Sequence, residues 1–216
     1  MDGSHYKGQW EKGLKSGKGT HKWKNGTIYK GSFKLGKYSG KGIITFKDGE
    51  YYKGEWRNGL RNGQGSNFWP DGRQYKGEWK NDKKSGKGKF NFSNGDSYEG
   101  NWINDLYDGY GSYEWADGRK FAGNFKNGNK SGRGIQYSIL GNKYKGNWKN
   151  DKLIDKLKFN ILRIYYDSKD RCNIFIDISN DTSLTINSIK YKIALTNKKN
   201  KLLGQQVSVA KKISPN

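Results

Sequence analysis

The chain is 216 residues long, room for one or two domains, and only 31% of it is hydrophobic, against 15% aromatic and a formal net charge of +22. So low a hydrophobic content excludes a thick globular core, while the aromatics and the regularly placed glycines argue against plain disorder and point to a thin sheet. A single cysteine, Cys172, excludes an intrachain disulfide framework.

The N-terminus carries no apolar leader, no stretch approaches the roughly 18 apolar residues of a membrane span, position 2 is Asp, and the chain ends Ile-Ser-Pro-Asn. A soluble, intracellular protein is the expectation. The basic balance suits acidic partners, whether anionic lipid headgroups, acidic protein surfaces or nucleic acid. The plainer reading is an AT-rich coding bias that loads solvent faces with lysine.

After a lead-in over residues 1–5, one pattern repeats with a constant step of 23 residues. It starts at Tyr6, Tyr29, Tyr52, Tyr75, Tyr98, Phe121 and Tyr144, giving six full copies and the first third of a seventh, over 6–152. Counting that first aromatic as offset 0, offset 2 is always glycine and offset 4 is Trp10, Phe33, Trp56, Trp79, Trp102, Phe125 or Trp148. The second half of each copy holds a Gly-x-Gly at offsets 11 and 13, such as Gly86 and Gly88. At offset 17 come Trp23, Phe46, Trp69, Phe92 and Trp115, with Ser138 the exception. An Asx-Gly closes each unit, as in Asn94-Gly95, until Leu140-Gly141 breaks the rule.

Offsets 0, 2 and 4 fall on one face of an extended segment, offsets 1 and 3 on the other. Asx-Gly is a strong hairpin signal, and glycine at this density disfavours helix. Each repeat is therefore expected to be a β-hairpin. The proposed register pairs offset 0 with offset 17 and offset 4 with offset 13, which sets Tyr75 against Phe92 and lays Trp79 over Gly88, aromatic rings covering cross-strand glycines. From Leu153 the pattern stops: Asp155 and Leu157 stand where Gly-x-Gly is due. Residues 153–197 are expected to form a cap or small strand-rich extension, and 198–216 a flexible basic tail.

Tyr52-Lys53-Gly54-Glu55-Trp56-Arg57-Asn58-Gly59-Leu60-Arg61-Asn62-Gly63-Gln64-Gly65 resembles the signature of the MORN (membrane occupation and recognition nexus) repeat family, and the resemblance covers residues 6 to about 152. Asp82, Asp105 and Asp151 replace the turn glycine in three copies, a change a turn tolerates. The resemblance implies an all-β fold, an elongated single-layer antiparallel sheet of stacked 23-residue β-hairpins whose aromatics line a groove. It also implies a non-catalytic scaffold, as in ciliary radial spokes, parasite cytoskeleton, membrane junctions or regulatory segments of lipid kinases. Phospholipid binding, a partner helix in the groove and self-association come with it as family attributes.

Catalytic and cofactor motifs give little. The Gly-x-Gly opens strands rather than helices, and Gly13-Leu14-Lys15-Ser16-Gly17-Lys18-Gly19 departs from a phosphate-binding loop in length and in lacking the metal-binding hydroxyl. His5 and His21 have no ligand cluster around them, the turn aspartates are explained by turn chemistry, and no histidine in the tail could activate Cys172. No enzyme, cofactor or metal is expected. Basic residues interleaved with aromatics also describe single-stranded nucleic-acid binders, but here the rings have a structural job, so nucleic acid is the weaker reading.

Two sets of candidate site residues follow. The groove aromatics are Tyr6, Trp10, Tyr29, Phe33, Tyr52, Trp56, Tyr75, Trp79, Tyr98 and Trp102, with Trp23, Phe46, Trp69, Phe92 and Trp115, structural and open to a partner. The basic ladder is Lys7, Lys30, Lys53, Lys76 and Lys145 at offset 1 with Lys18, Lys41, Lys87 and Arg133 at offset 12, either a solvated face or a docking surface. The expected partner is a protein offering an acidic or amphipathic segment in a cytoskeletal or ciliary assembly. The alternative is an anionic phosphoinositide membrane.

Overall fold

The computed structural model describes residues 3–141 and 143–154 in full and, beyond them, the backbone of strands at 157–166, 172–180, 189–196 and 202–210. The chain divides into two units, Met1–Lys143 and Tyr144–Asn216. The division falls after the sixth repeat, the copy that lacks both the offset-17 aromatic and the Asx-Gly.

In the first unit the strands pair in chain order as an open antiparallel meander. They are β1 (His5–Glu11), β2 (Leu14–Lys22), β3 (Ile28–Lys34), β4 (Lys37–Thr45), β5 (Tyr51–Arg57) and β6 (Leu60–Phe68), then β7 (Gln74–Lys80), β8 (Lys83–Asn91), β9 (Ser97–Ile103), β10 (Leu106–Glu114), β11 (Lys120–Lys126) and β12 (Asn129–Tyr137). Each repeat contributes one hairpin. Its two-residue turn places both central residues at positive φ, as at Asn81 (49°) and Asp82 (65°), the conformation whose twist matches the flanking strands. Repeats are joined by a longer connection that the Asx residue closes on itself: Asn94 Oδ1 accepts from Asp96 N at 3.0 Å, and Asp48 Oδ1 from Glu50 N at 3.0 Å.

The register differs from the sequence-based one. Tyr75 pairs with Phe90, not Phe92, and Gly77 with Gly88; the ladder then shifts so that Glu78 pairs with Ser85 and Trp79 with Lys84. Two residues, Gly86 and Lys87, are left over as a bulge inside the hairpin. The first glycine of Gly-x-Gly makes this possible: Gly86 sits at φ +60°, where a side chain is strained. The bulge also displaces offset 17. β8 ends at Asn91, so Phe92 and its counterparts lie in the connections rather than on a strand face.

Tyrosine, not tryptophan, covers the cross-strand glycines of its own hairpin. A Cβ added to Gly88 would lie 2.7 Å from Cε2 and Cζ of Tyr75, and Tyr52 and Tyr98 lie over their own glycine pairs in the same way. Trp79 instead pairs with Gly63 of the preceding repeat. Its indole meets Tyr75 edge-on at 5.1 Å and Tyr52 edge-on at 5.4 Å, so the rings alternate from repeat to repeat as one continuous rib.

The second unit opens with β13 (Lys143–Lys149) and β14 (Lys152–Leu153), in which Trp148 pairs with Leu153. β15 (Leu157–Tyr166) pairs with β16 (Cys172–Asn180), and β17 (Ile189–Thr196) with β18 (Leu202–Ala210). Residues 153–197 thus carry β15, β16 and β17. Residues 198–216, expected as a flexible tail, carry β18; the alternation of Val207 and Val209 with polar residues is a strand period that the surrounding lysines obscured. The remainder of that segment lies outside the described residues.

Candidate functional site

The face bearing the aromatic rib is largely closed. Tyr29, Tyr52, Tyr75 and Tyr98 are 0% exposed, and Phe33, Trp56, Trp79 and Trp102 are buried beside them. Their polar atoms are occupied as well. Tyr75 Oη donates to Glu78 O at 2.9 Å, and Trp79 Nε1 donates to Gly65 O at 3.3 Å, with equivalents in the neighbouring repeats. Burial holds these tyrosines neutral, their pKa values raised far above the ordinary one.

What closes the rib is a column at offset 9 that the sequence reading did not single out: Lys15, Tyr38, Arg61, Lys84, Tyr107 and Lys130. Tyr38 stacks flat on Tyr29 at 3.8 Å and Tyr107 on Tyr98 at 3.8 Å, while the Arg61 guanidinium lies 4.1 Å from the Trp79 ring centroid. The turn aspartates serve this column. Asp82 Oδ1 accepts from Arg61 N at 2.9 Å and from Arg61 Nε at 3.0 Å, and Asp105 Oδ1 accepts from Lys84 N at 2.9 Å and from Lys84 Nζ at 3.1 Å. Each acid therefore fixes a cation one repeat earlier. Its signal in the sequence was the coincidence of Asp at offset 7 with a cation at offset 9 of the copy before.

The remaining candidate aromatics lie at the margins of this layer. Tyr6 is half-buried and Trp10 is 58% exposed on β1. Trp23, Trp69, Phe92 and Trp115 are half-buried in the connections, and Phe46 is exposed there. Trp69, Phe90 and Phe92 touch in sequence, at 5.6 and 4.6 Å between centroids. Phe90 and Phe92 help line a depression of about 300 Å³ with Lys84, Leu106 and Tyr107.

The opposite face carries the basic residues. Lys7, Lys18, Lys30, Lys41, Lys53, Lys76, Lys87 and Arg133 are all exposed, as is Lys145 in the second unit. The offset-1 lysines do not abut one another, as a simple ladder would require. Lys30 and Lys53 both pair with Ile43, and Lys53 and Lys76 both pair with Ser66, so successive charges stand two strands apart. At about 10 Å in water such a pair repels by roughly 0.4 kcal/mol before salt screening, which the fold tolerates easily. Where lysines do pair, at Lys76 and Lys89, Glu99 lies 3.6 Å from Lys89 Nζ.

Two shallow depressions mark this face. One, of about 830 Å³, is framed by Lys30, Lys41 and Lys53 with Ile43, Tyr51 and Phe68; another, of about 910 Å³, mixes Lys76, Lys87, Lys89 and Lys120 with Glu78, Glu99 and Glu114. Glu78 has a structural task too, since its Oε1 accepts from Lys87 N at 3.0 Å and so satisfies the bulge. Among the described residues no group of three or more His, Cys, Asp or Glu side chains could hold a metal ion, and no helix is long and apolar enough to cross a membrane. The arrangement offers open, charged surface for binding.

The family comparison accords with a repeat of this kind. The family profile described as "MORN repeat" matches at residues 6–28, 29–51, 52–72, 75–97, 98–118, 121–138 and 144–153. No curated protein matches the chain. Among solved structures, the TCP domain of SAS-4 (dCPAP) of Drosophila melanogaster, in complex with a proline-rich motif of Ana2 (dSTIL), aligns at 14% identity with a TM-score of 0.34, over 60% of this chain and 83% of that one. The G-box domain of the microcephaly protein CPAP aligns at 14% identity with a TM-score of 0.34, over 61% and 81%. Seven consecutive profile matches, in phase with the hairpins β1 to β12 and with the β13–β14 turn, show that the chain belongs to the MORN repeat family, a family of non-enzymatic binding scaffolds.

Proposed function

We propose that this chain is a non-enzymatic scaffold that holds a protein partner within a cytoskeletal or ciliary assembly, radial-spoke-like in kind, in the cytoplasm. The observation that carries the reading is the lysine face: exposed basic columns interrupted by Glu55, Glu78, Glu99 and Glu114. Mixed charge over a shallow depression suits a partner whose own charges are patterned, and like-charge contacts would reject the wrong one. The test is recovery of neighbours of the tagged protein from detergent-extracted cytoskeleton. Retention with a reproducible set of partners is expected; complete loss to the soluble fraction overturns the reading.

A second reading, a peripheral adaptor on anionic phospholipid, has one observation in its favour. The lysines of the first copies, Lys7, Lys18, Lys30 and Lys41, precede the first acidic residue of the offset-1 and offset-3 columns, Glu55. Juxtamembrane lysines contribute about 1 kcal/mol each at an anionic surface. Pelleting with anionic and with neutral liposomes at two salt concentrations decides it, and equal pelleting with both overturns it.

A further inference from the structure

The two depressions on the lysine face are chemically different, and the difference identifies what each can hold. Around the first, three lysines stand against one carboxylate, Glu55; around the second, four stand against three. The first gathers three large apolar side chains, Ile43, Tyr51 and Phe68, where the second has Tyr110 alone. Across β3 to β6 the register aligns Ile28 with Thr45, Thr45 with Tyr51, and Tyr51 with Phe68, three large apolar side chains in a row of four. Beyond β6 the same row continues as Gln74, Asn91, Ser97 and Glu114.

None of these apolar side chains is required by the core, which lies on the other face. Tyr51 and Phe68 stack on each other at 4.6 Å, and Ile28 is 37% exposed. Nor does the fold require these residue types, because the fourth and fifth repeats build the same strands with polar residues at the same offsets, Lys89 and Ser112 for Ile43 and Asn91 and Glu114 for Phe68. Apolar surface held beside uncompensated cations is the composition of a docking site rather than of a solvated face.

We propose that the depression over β3–β6 anchors an extended acidic segment of the protein partner, one aromatic or large aliphatic side chain seated against Ile43, Tyr51 and Phe68 and its flanking carboxylates meeting Lys30, Lys41 and Lys53. This rests on the scaffold reading and names the partner's chemistry. Four strands at about 4.8 Å span room for roughly five extended residues at 3.4 Å each. The side chain supplies the anchor and the lysines supply on-rate and orientation. A flat bilayer cannot present an isolated ring flanked by charges in this way.

The repeats themselves supply variants that keep the fold: Phe68→Asn copies Asn91, Ile43→Ser copies Ser66, and Lys41→Gln copies Gln64 at the same offsets. The probe is a fluorescent peptide of about eight residues, glutamate and aspartate around one central phenylalanine, beside a version with serine in place of the phenylalanine. Fluorescence anisotropy with the full chain is expected to show the phenylalanine peptide binding at least about tenfold tighter than the serine peptide. Phe68→Asn and Ile43→Ser should each weaken it several-fold, Lys41→Gln should weaken it and flatten its salt dependence, and Lys87→Gln should leave it unchanged.

Equal affinity for the two peptides, or equal loss from Lys87→Gln and Lys41→Gln, overturns the proposal. So does binding to phosphatidylserine-containing vesicles, relative to phosphatidylcholine alone, with no peptide binding. The failure of the scaffold reading is separately visible. A chain that keeps its cytoskeletal neighbours yet ignores the peptide refutes this anchor alone, whereas a chain that washes out of the cytoskeleton refutes the reading beneath it.

Discussion

Replacing Gly88 by alanine places a methyl group where the Tyr75 ring already lies, 2.7 Å from both Cε2 and Cζ, well inside carbon–carbon contact distance. The ring has nowhere to go. It is fully buried, meets Trp79 and Trp102 edge-on at 5.1 and 5.3 Å, and is tied by its hydroxyl to Glu78 O at 2.9 Å. Overpacking costs about 1–3 kcal/mol and the displaced hydrogen bond about 1 more, so Gly88→Ala is expected to lose about 2–4 kcal/mol. Urea unfolding, followed by tryptophan fluorescence and by circular dichroism in parallel, measures it. A repeat array can unfold in parts, so the midpoints from both probes are needed. In a Tyr75→Leu background the alanine should cost little more, a coupling of about 1–3 kcal/mol; in a Trp79→Leu background its cost should persist. A loss under about 0.5 kcal/mol, within the range of an unremarkable surface change, or relief by Trp79→Leu instead, refutes the register in which tyrosine covers the glycine pair.

Three further outcomes are expected. Because Tyr29, Tyr52, Tyr75 and Tyr98 are buried neutral with raised pKa values, the stability they carry is full below the unfolded value of 10.0 and falls as pH rises above it. At about pH 11 each loses roughly 1.4 kcal/mol, and ultraviolet titration should show tyrosinate appearing in step with unfolding rather than before it. Asp96 titrates the other way: the Tyr113 hydroxyl donating to it at 2.7 Å holds its carboxyl below the usual range, so its contribution is present at neutral pH and lost as pH falls through that lowered value. Tyr113→Phe should cost about 1–2 kcal/mol at neutral pH and make acid unfolding less steep, as chemical denaturation at several pH values would report. Asp82→Gly, which restores the turn residue of other copies, should cost only about 0.5–1 kcal/mol in thermal unfolding, since the Arg61–Asp82 pair is partly exposed, and combining it with Arg61→Ala should cost less than the two separately.

How much of this was legible in the sequence depends on how local its cause is. Strand, turn and repeat follow from residues that act on their own backbone, such as the Asx-Gly connections and the paired positive-φ residues at Asn81 and Asp82. The register was not legible from side-chain patterning, because the leftover pair Gly86 and Lys87 shifts the partner of every residue beyond it. A sign was present all the same. A glycine recurring at offset 11, two residues before the glycine-paired position, asks for positive φ, and Gly17, Gly40, Gly63, Gly86, Gly109 and Gly132 all adopt it. The offset-9 column was missed because lysine, arginine and tyrosine look unrelated until the task is named: each is long enough to lie over a ring of the adjacent strand.

The same packing decides where function can be tested. Trp56 and Trp79 stand among the groove aromatics, where a substitution is a natural probe of partner binding. Each is buried, wedged between two tyrosines, and donates its indole N–H to a carbonyl of the repeat before it. Truncating either to alanine costs about 3–5 kcal/mol, enough to loosen two repeats at once, so a lost partner after such a change reports on the sheet and not on the contact. The lysine face, offsets 1 and 3 on one strand and 12, 14 and 16 on the next, has the opposite property. Apart from carboxylates such as Glu78 that satisfy the bulge, its side chains contribute nothing to the rib, and neighbours in other repeats supply folded precedents for the substitutions at Lys41, Ile43 and Phe68. Repetition therefore separates the two questions within one chain: the rib face tests how the array stands up, and the lysine face of β3 to β6 tests what it holds.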